Sequence, residues 1–460
     1  MTDQGQTRVY GRRGFSPGAI QRVLETVLPF LNWNSVYRTL SYARSALWVV
    51  PLIAVILALL VIRLLTALDR WIPWDLTMLE VDGARALFQT VITLTLSFMV
   101  FTFGSLLVAI QIAGGQLTPR IIATTLLRDK VIKYTVGLNV FTLLLAITAL
   151  NRTEGSVFEL VTLVVAMLGV ACLASFLFLI DYSARLLRPV RIVALVCDDG
   201  MAVVRAVYPE AAPGDADGGG TVISLPGTPA RSVAYAGRSQ VVLAIDLDPL
   251  VAEARRCDGV IEFVPQVGDF VADEEPLFQL YAGAASCDDA VLRNAVAFGT
   301  ERTMEQDPMF AFRILVDVAL KALSPAINDP TTAVLAMDQI HRLLRFVGKR
   351  QLHGQELRDE DGRIRIIFRT PNWADFVNIS CSEIRACGAS NVQIARRQRA
   401  MLENLIRSLP PHRHPALRQA LDLLDRTLPA LYPLAEDLAL ARIPDPQGLG
   451  GATAGKTTMP

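Results

Sequence analysis

Four long apolar stretches without charged residues stand out in the first 181 residues of the chain. A helix rises about 1.5 Å per residue, so some 20 apolar residues cross a hydrocarbon core about 30 Å thick. Each stretch is close to that length or longer, and the pattern therefore predicts four transmembrane helices. The stretches are 45–62, 86–119 with its hydrophobic part at 88–112, 134–151 and 160–180.

Lysine and arginine are concentrated on one side of these predicted helices. Residues 1–45 carry six arginines against two acidic residues, whereas the flank before the second span mixes acidic and basic residues. Positively charged short flanks stay on the cytoplasmic side of a membrane. Further basic residues follow the second and fourth spans: Arg120, Arg128, Lys130, Lys133, Arg185, Arg188 and Arg191. The distribution predicts a multi-pass protein of the lipid bilayer with its N- and C-termini in the cytoplasm.

The second span carries a stripe of small and polar residues. At about 100° per residue its members fall within an arc of about 60° on one helical face. They are Thr90, Thr93, Ser97, Gly104, Gln111 and Gly115. Such a stripe favours either close helix packing or the wall of a water-filled path. The segment 111–120 adds amides, glycines and a proline at the cytosolic mouth, which indicates a constriction or a helix stop.

No predicted span carries a charged residue or a histidine at its centre, so the spans lack the ionisable residues that a proton relay or a charge-coupled pump would need. Asn139 is the only strongly polar group inside the third span. These observations favour a passive pathway over an active transporter.

Residues 192–282 alternate short β-rich runs with turn signals and predict a small β sandwich or barrel. The run 259–278 resembles half of a biotinyl or lipoyl-type hammerhead. The five lysines of the chain all lie outside this subdomain, so none could carry a biotinyl or lipoyl group there. The resemblance therefore concerns structure alone.

The chain turns helical from Asp288 onward. A helix is predicted over 310–323 and ends at Ser324-Pro325. Asp329 is then predicted to be the N-cap of the next helix, with Pro330 at its first position. Helices are also predicted at 373–385, 391–408 and 415–441, a strand at 363–369 and a disordered tail at 444–460. The alternative to a purely structural turn is a pocket for an ion or small ligand. Its candidates are Arg302, Asp307, Arg313, Asp317, Asn328 and Asp329.

Charge and motifs exclude several function classes. Basic and acidic residues both number 44, so no net positive field favours nucleic acid as a partner. The six cysteines form no C-x-x-C pair, and His412 and His414 fit a turn, so we expect free thiols and no metal site. The sequence shows no nucleotide-binding loop and no nucleophile motif. We accordingly expect neither an enzyme nor a bound cofactor.

Two segments together resemble a known family. One runs from Ser97 to Gln-Leu-Thr-Pro-Arg120; the other begins Arg302-Thr-x-x-Gln-Asp-Pro and ends Ser-Pro-Ala-Ile-Asn-Asp-Pro-Thr-Thr-Ala333. They resemble bacterial predicted membrane proteins with domain of unknown function 2254. The resemblance extends over most of the chain. It implies a location in the bacterial cytoplasmic (inner) membrane and supplies no activity.

The predicted architecture is an α-helical membrane domain of four transmembrane helices followed by an α+β cytosolic domain. Its parts are a juxtamembrane segment at 1–45, the membrane domain at 46–184, a β-rich subdomain at 185–285, a mainly helical subdomain at 286–443 and the tail. Four spans rarely enclose a pathway alone, so the leading hypothesis is a homo-oligomeric ion channel with a cytosolic regulatory domain. The alternative is a membrane-anchored sensor or scaffold without a conduction path.

Overall fold

The computed structural model describes residues 46, 48–71, 79–116, 129–153, 157–186, 188–211, 227–352 and 356–449. The described residues divide into two compact units, one within 41–192 and one within 193–460. The predicted segment 1–45, residues 117–120 of the predicted mouth and the tail from 450 onward lie outside the described residues.

The first unit contains four helices that are long and apolar enough to cross a membrane, which confirms the predicted spans. Trp48 and Trp71, at opposite ends of the first helix, are both exposed, as amphipathic residues at the two interfaces would be. The helices are α1 (Val49–Trp71), α2 (Val81–Gln116), α3 (Lys130–Arg152) and α4 (Glu159–Leu186).

Polar contacts at the helix ends show that the four helices run in alternating directions. At one end, Arg85 Nε of α2 donates to the carbonyl oxygen of Thr153 after α3, at 3.0 Å. At the same end, the Asp69 carboxylate of α1 accepts from the backbone N–H of Leu160 and Val161 at 3.0 and 3.2 Å, capping α4. Arg152 of α3 also donates to Thr66 of α1 at 3.2 Å, so the ends of α1 and α3 lie beside the starts of α2 and α4, as successive membrane crossings require.

The interior of this unit is filled with apolar side chains. Ile62, Phe88, Leu145 and Val165 are almost completely buried, one from each helix. Glycine permits close approach on α3, where a Cβ at Gly137 would lie 2.8 Å from Val50 Cγ1. The four helices thus pack on one another and leave apolar side chains on their outer surface.

A fifth helix, α5 (Pro189–Val207), overturns the β-rich assignment of the residues from 192 onward. The misleading signal is the content of Val and Ile, which favour strands. Their spacing is helical, however, because Ile192, Val196, Val203 and Val204 are buried along one face. Gly200 lies on that face, and a Cβ there would come within 2.5 Å of Ala311 Cβ. The β-rich part of the chain accordingly begins later than predicted.

The described strands of the second unit are β1 (Arg231–Ala234), β2 (Gln240–Ile245), β3 (Gly259–Phe263), β4 (Phe270–Val271), β5 (Pro276–Ala282), β6 (Val296–Gly299), β7 (Glu356–Arg358) and β8 (Ile364–Phe368). They form a five-stranded sheet in the order β1-β5-β3-β8-β7 and a three-stranded sheet in the order β4-β2-β6. Helices α6 (Leu247–Arg256) and α7 (Asp289–Asn294) lie between them in sequence.

The predicted hairpin of 259–278 is present, because β3 pairs antiparallel with β5, with Ile261 opposite Leu280. Its connection is more than a turn, since β4 lies within it and pairs with β2 of the other sheet. The predicted strand at 363–369 is present as β8 and pairs parallel with β3. One sheet therefore combines strands from both sides of the predicted boundary at 285.

The remaining helices agree with the predicted positions. They are α8 (Pro308–Ala322), α9 (Pro330–Val347), α10 (Trp373–Gly388), α11 (Val392–Ser408), α12 (His414–Leu431) and α13 (Ala435–Ala441). The helix predicted at 415–441 is divided in two, because Pro433 removes a backbone donor between α12 and α13.

The beginning of the predicted disordered tail is packed against α11. Asp445 is fully buried, and its backbone N–H donates to the carbonyl oxygen of Arg396 at 3.2 Å. A Cβ at Gly448, where φ is +68°, would lie 2.5 Å from Val334 Cγ1. The prediction of disorder is therefore wrong for residues 444–449, because these contacts come from distant parts of the chain.

Candidate functional site

The stripe on α2 lies on the outer surface of the first unit. All six of its residues are exposed, and an added Cβ at Gly104 or Gly115 would meet nothing within 4 Å. The opposite face of α2 is buried through Val91, Thr95 and Leu106. Packing among the described helices of this chain therefore does not explain Thr90, Thr93, Ser97, Gly104, Gln111 and Gly115.

The hydroxyl groups of the stripe are hydrogen-bonded within their own helix. Thr90, Thr93 and Ser97 each donate to the carbonyl oxygen four residues earlier, at 2.8 to 2.9 Å. Such bonds satisfy a hydroxyl without a partner on another helix. The same 60° arc also contains Val108, so the face is mixed rather than continuously polar. It can face lipid, a second chain or water.

Asn139 of α3 is fully buried in the first unit. Neither of its amide atoms has a hydrogen-bond partner among the residues that the structure describes. One turn further along α3, Thr142 accepts from the Cys172 thiol of α4 at 3.3 Å. Asn139 is thus a polar group enclosed by the helices of this unit.

The first pair of predicted pocket residues is Arg302 and Asp307. Arg302 Nε and Nη2 lie 2.9 and 2.6 Å from Asp307 Oδ2. The other oxygen of Asp307 accepts from the backbone N–H of Met309 and Phe310, which caps α8. Gly268 covers the pair, because a Cβ there would lie 2.4 Å from Asp307 Oδ2. This pair holds the start of α8.

The second pair, Arg313 and Asp317, lies in the middle of α8. Arg313 Nε donates to Asp317 at 2.8 Å, and the two other guanidinium nitrogens donate to Glu383 of α10. The Arg313 guanidinium holds the pKa of Glu383 below its ordinary value. Glu383 was not among the sequence candidates, since only the packing of α8 on α10 brings it here.

The third pair, Asn328 and Asp329, forms the turn after α8. Asn328 has φ +48°, in the left-handed region that asparagine tolerates. Asp329 accepts from the backbone N–H and the hydroxyl of Thr332, at 3.0 and 2.5 Å, so the predicted N-cap is confirmed. The 15 residues of α8, about 22 Å long, separate this turn from Asp307. The six candidates therefore form three local clusters and not one pocket.

Asp329→Ala is expected to lower the free energy of unfolding by about 1 kcal/mol, because α9 loses its N-cap. Asp329→Ser should recover most of this loss, since a serine hydroxyl can accept from the same backbone N–H. Urea denaturation of the two variants and the parent chain measures the difference. Equal losses in both variants would contradict the capping role.

Metal-ligating side chains come together elsewhere in the second unit. Within the described part of the chain, the group of three or more such residues is Glu253, Cys257 and Cys287. Sequence reasoning missed it because the two cysteines are far apart in sequence and lack a recognised spacing. The part of the cluster that the sequence could have indicated is the spacing of Glu253 and Cys257, which lie one helical turn apart at the end of α6.

Comparison with known proteins extends over both units. The family model described as "Predicted membrane protein (DUF2254)" matches residues 44–404. Uncharacterised proteins of Mycobacterium bovis and Mycobacterium tuberculosis are each 26% identical to the chain over 381 residues, which is 76% of this chain and 70% of each relative. No solved structure matches the chain. The matched range includes the four spans, both sheets and the Arg302–Asp307 pair.

Proposed function

We propose that this chain, which belongs to the DUF2254 family of predicted membrane proteins, is a homo-oligomeric passive channel for small ions in the bacterial inner membrane. The observation that carries the proposal is the exposed stripe on α2. From Thr90 to Gly115 the stripe is about 38 Å long at 1.5 Å per residue. It is therefore long enough to cross the whole hydrocarbon core, about 30 Å thick.

The interior of one subunit offers little room for ions. Phe88, Leu145 and Val165 fill the space between the described helices, and Phe98 of α2 stacks on Phe176 of α4 with ring centroids 4.3 Å apart. A path lined by the stripe would lie outside the single subunit. Copies related by rotation about an axis could place their α2 stripes around it.

The proposed orientation places both termini in the cytoplasm, so that the second unit is a cytoplasmic regulatory domain. The supporting observation is the distribution of arginine and lysine beside the spans. An ion or small ligand acting on this domain would be the signal that opens or closes the channel. The alternative is a membrane-anchored sensor or scaffold, and the stripe would then contact lipid.

Cysteine accessibility separates the two functions. Ser97→Cys and Leu96→Cys are a matched pair, since both positions are exposed, lie at the same depth and point about 100° apart. If the stripe borders water, Ser97→Cys should react with a small hydrophilic thiol reagent at least about tenfold faster, because thiolate forms readily only in contact with water. Leu106→Cys, on the buried face, should react slowly. The exposed Cys387 is first replaced by serine.

Conductance in a reconstituted bilayer completes the test. Gln111→Leu is expected to change the single-channel current, because it removes the one amide among the six stripe residues. Phe103→Leu, on an exposed but neighbouring face of α2, should leave it unchanged. Equal reactivity at positions 96 and 97, together with no current from a folded oligomer under voltage, tension and ligand screens, would overturn the channel and leave the anchor.

A further inference from the structure

Two thiols and a carboxylate meet in the second unit, outside the membrane-spanning helices. Glu253 and Cys257 lie one turn apart at the end of α6, and Cys287 follows the short 3-10 helix Gly283–Ser286. Their two sulfur atoms and a carboxylate oxygen all lie within 4.8 Å of one another. Glu253 and Cys287 are buried, and Cys257 is half-buried. The cluster is therefore enclosed on most sides and reaches the surface at Cys257.

Close backbone packing brings the two cysteines together. A Cβ at Gly283 would lie 1.9 Å from the carbonyl oxygen of Cys257, and one at Gly259 would lie 2.0 Å from the backbone nitrogen of Ala284. Arg231 of β1 then holds the following segment, donating to the carbonyl oxygen of Cys287 at 2.6 Å and to Asp289 at 2.7 Å. The position of Cys287 is thus fixed from two sides by the fold.

The carboxylate is oriented and ionised. Arg256 donates to both oxygens of Glu253, at 2.8 and 2.5 Å, and the backbone N–H of Asp288 donates to Oε1 at 2.8 Å. These hydrogen bonds, with that from Arg256 foremost, lower the pKa of Glu253 to about 2. Outer groups that hold a ligand in place in this way are a regular feature of metal sites.

Both thiols point at hydrogen-bond acceptors. Cys257 Sγ lies 3.8 Å from Glu253 Oε1, and Cys287 Sγ lies 3.8 Å from the backbone oxygen of Glu253. Burial raises the pKa of Cys287 to about 12, and the neighbouring thiol of Cys257 adds to the effect. A thiol held neutral is a poor nucleophile and is slow to oxidise. A bound cation would favour loss of the thiol protons, because it stabilises the thiolates directly.

We propose that Cys257, Cys287 and Glu253 bind one divalent cation of the zinc class. The ion replaces the two thiol protons, forms bonds to both sulfurs and to Glu253 Oε1, and takes a water molecule as its fourth ligand on the open side at Cys257. One divalent ion and two thiols give the complex and two released protons, with no change of oxidation state. Two thiolates and a carboxylate leave one excess negative charge around the ion, which the guanidinium of Arg256 neutralises.

Cobalt(II) is the probe, because its absorption reports tetrahedral geometry and sulfur ligands. The full-length chain in detergent is treated with a chelator and kept reduced with a phosphine. It should then bind one equivalent of cobalt(II), displaced by zinc(II), with release of about two protons per ion. Cys257→Ser keeps a hydrogen-bonding group and should lower the affinity by about 100-fold or more. Cys387→Ser, at an exposed cysteine outside the cluster, should leave it unchanged.

Protection from alkylation provides a second measurement in the unaltered chain. Cadmium(II) should slow the modification of Cys257 and Cys287 but not that of Cys387, as peptide mass spectrometry can show. The proposal is overturned if the reduced chain binds no stoichiometric cobalt(II), if Cys257→Ser binds it as tightly as the parent, or if cadmium(II) leaves Cys257 unprotected. None of these outcomes depends on whether the chain conducts ions.

Discussion

Gly283→Ala is expected to lower the free energy of unfolding of the second unit by about 3 kcal/mol, at the upper end of the usual cost of overpacking. The new Cβ would lie 1.9 Å from the carbonyl oxygen of Cys257 and 3.0 Å from that of Asp258. Both are backbone atoms and cannot rotate away as a flexible side chain could. The chain must instead shift, which separates Gly283–Ser286 from the start of β3.

The same shift should move Cys287 away from Cys257 and abolish cobalt(II) binding. Urea denaturation in detergent measures the stability, and the cobalt absorption measures the site. Ala285→Ser is the matched control, because position 285 is exposed in the same short helix and a surface change of this size usually costs less than about 0.5 kcal/mol. Unchanged stability in Gly283→Ala would mean that the close approach to Cys257 is absent.

The parts of the fold that the sequence predicts are those whose signals are local. A transmembrane helix is a matter of length and composition in one stretch, and all four are where the apolar runs place them. The Asp329 cap could likewise be predicted, since its acceptor and donor lie within one turn. The α2 stripe is visible for the same reason, because helical spacing alone puts its members on one face.

The parts that could not be predicted depend on contacts between distant residues. Glu383 reaches Arg313 only because α10 packs beside α8. Asp445 is ordered by α11, although its own segment has the composition of a disordered tail. Cys257 and Cys287 meet through the absence of side chains at Gly259 and Gly283, and no spacing rule expresses such a requirement. In the residues from 192 onward two local signals disagreed: the content of Val and Ile favoured strands, whereas their spacing was helical and the structure has helix α5.

The Arg302–Asp307 pair belongs to the second segment that carries the family resemblance. The contacts of this pair hold the start of α8 in place. Asp307 is 2% exposed, and its two oxygens accept from Arg302 and from the backbone N–H groups of Met309 and Phe310. Gln306, the preceding residue, accepts from the backbone N–H of Ile245 at 3.0 Å, at the end of β2. The segment thus ties the start of α8 to the three-stranded sheet, and Asp307 has little capacity left for a ligand.

Asp307→Ala is therefore expected to lower the free energy of unfolding by about 3 kcal/mol, of which the helix cap contributes about 1 and the charged hydrogen bonds the rest. Arg302 keeps some hydration, because about a third of its side chain is exposed, and this limits the loss. Asp307→Asn retains an oxygen for the cap and removes the charge, so it should lose less than the alanine variant. Native-state hydrogen exchange at Met309 and Phe310 should rise in Asp307→Ala far more than in Asp307→Asn. Unchanged stability and unchanged exchange at Met309 and Phe310 in Asp307→Ala would contradict the structural role of the pair.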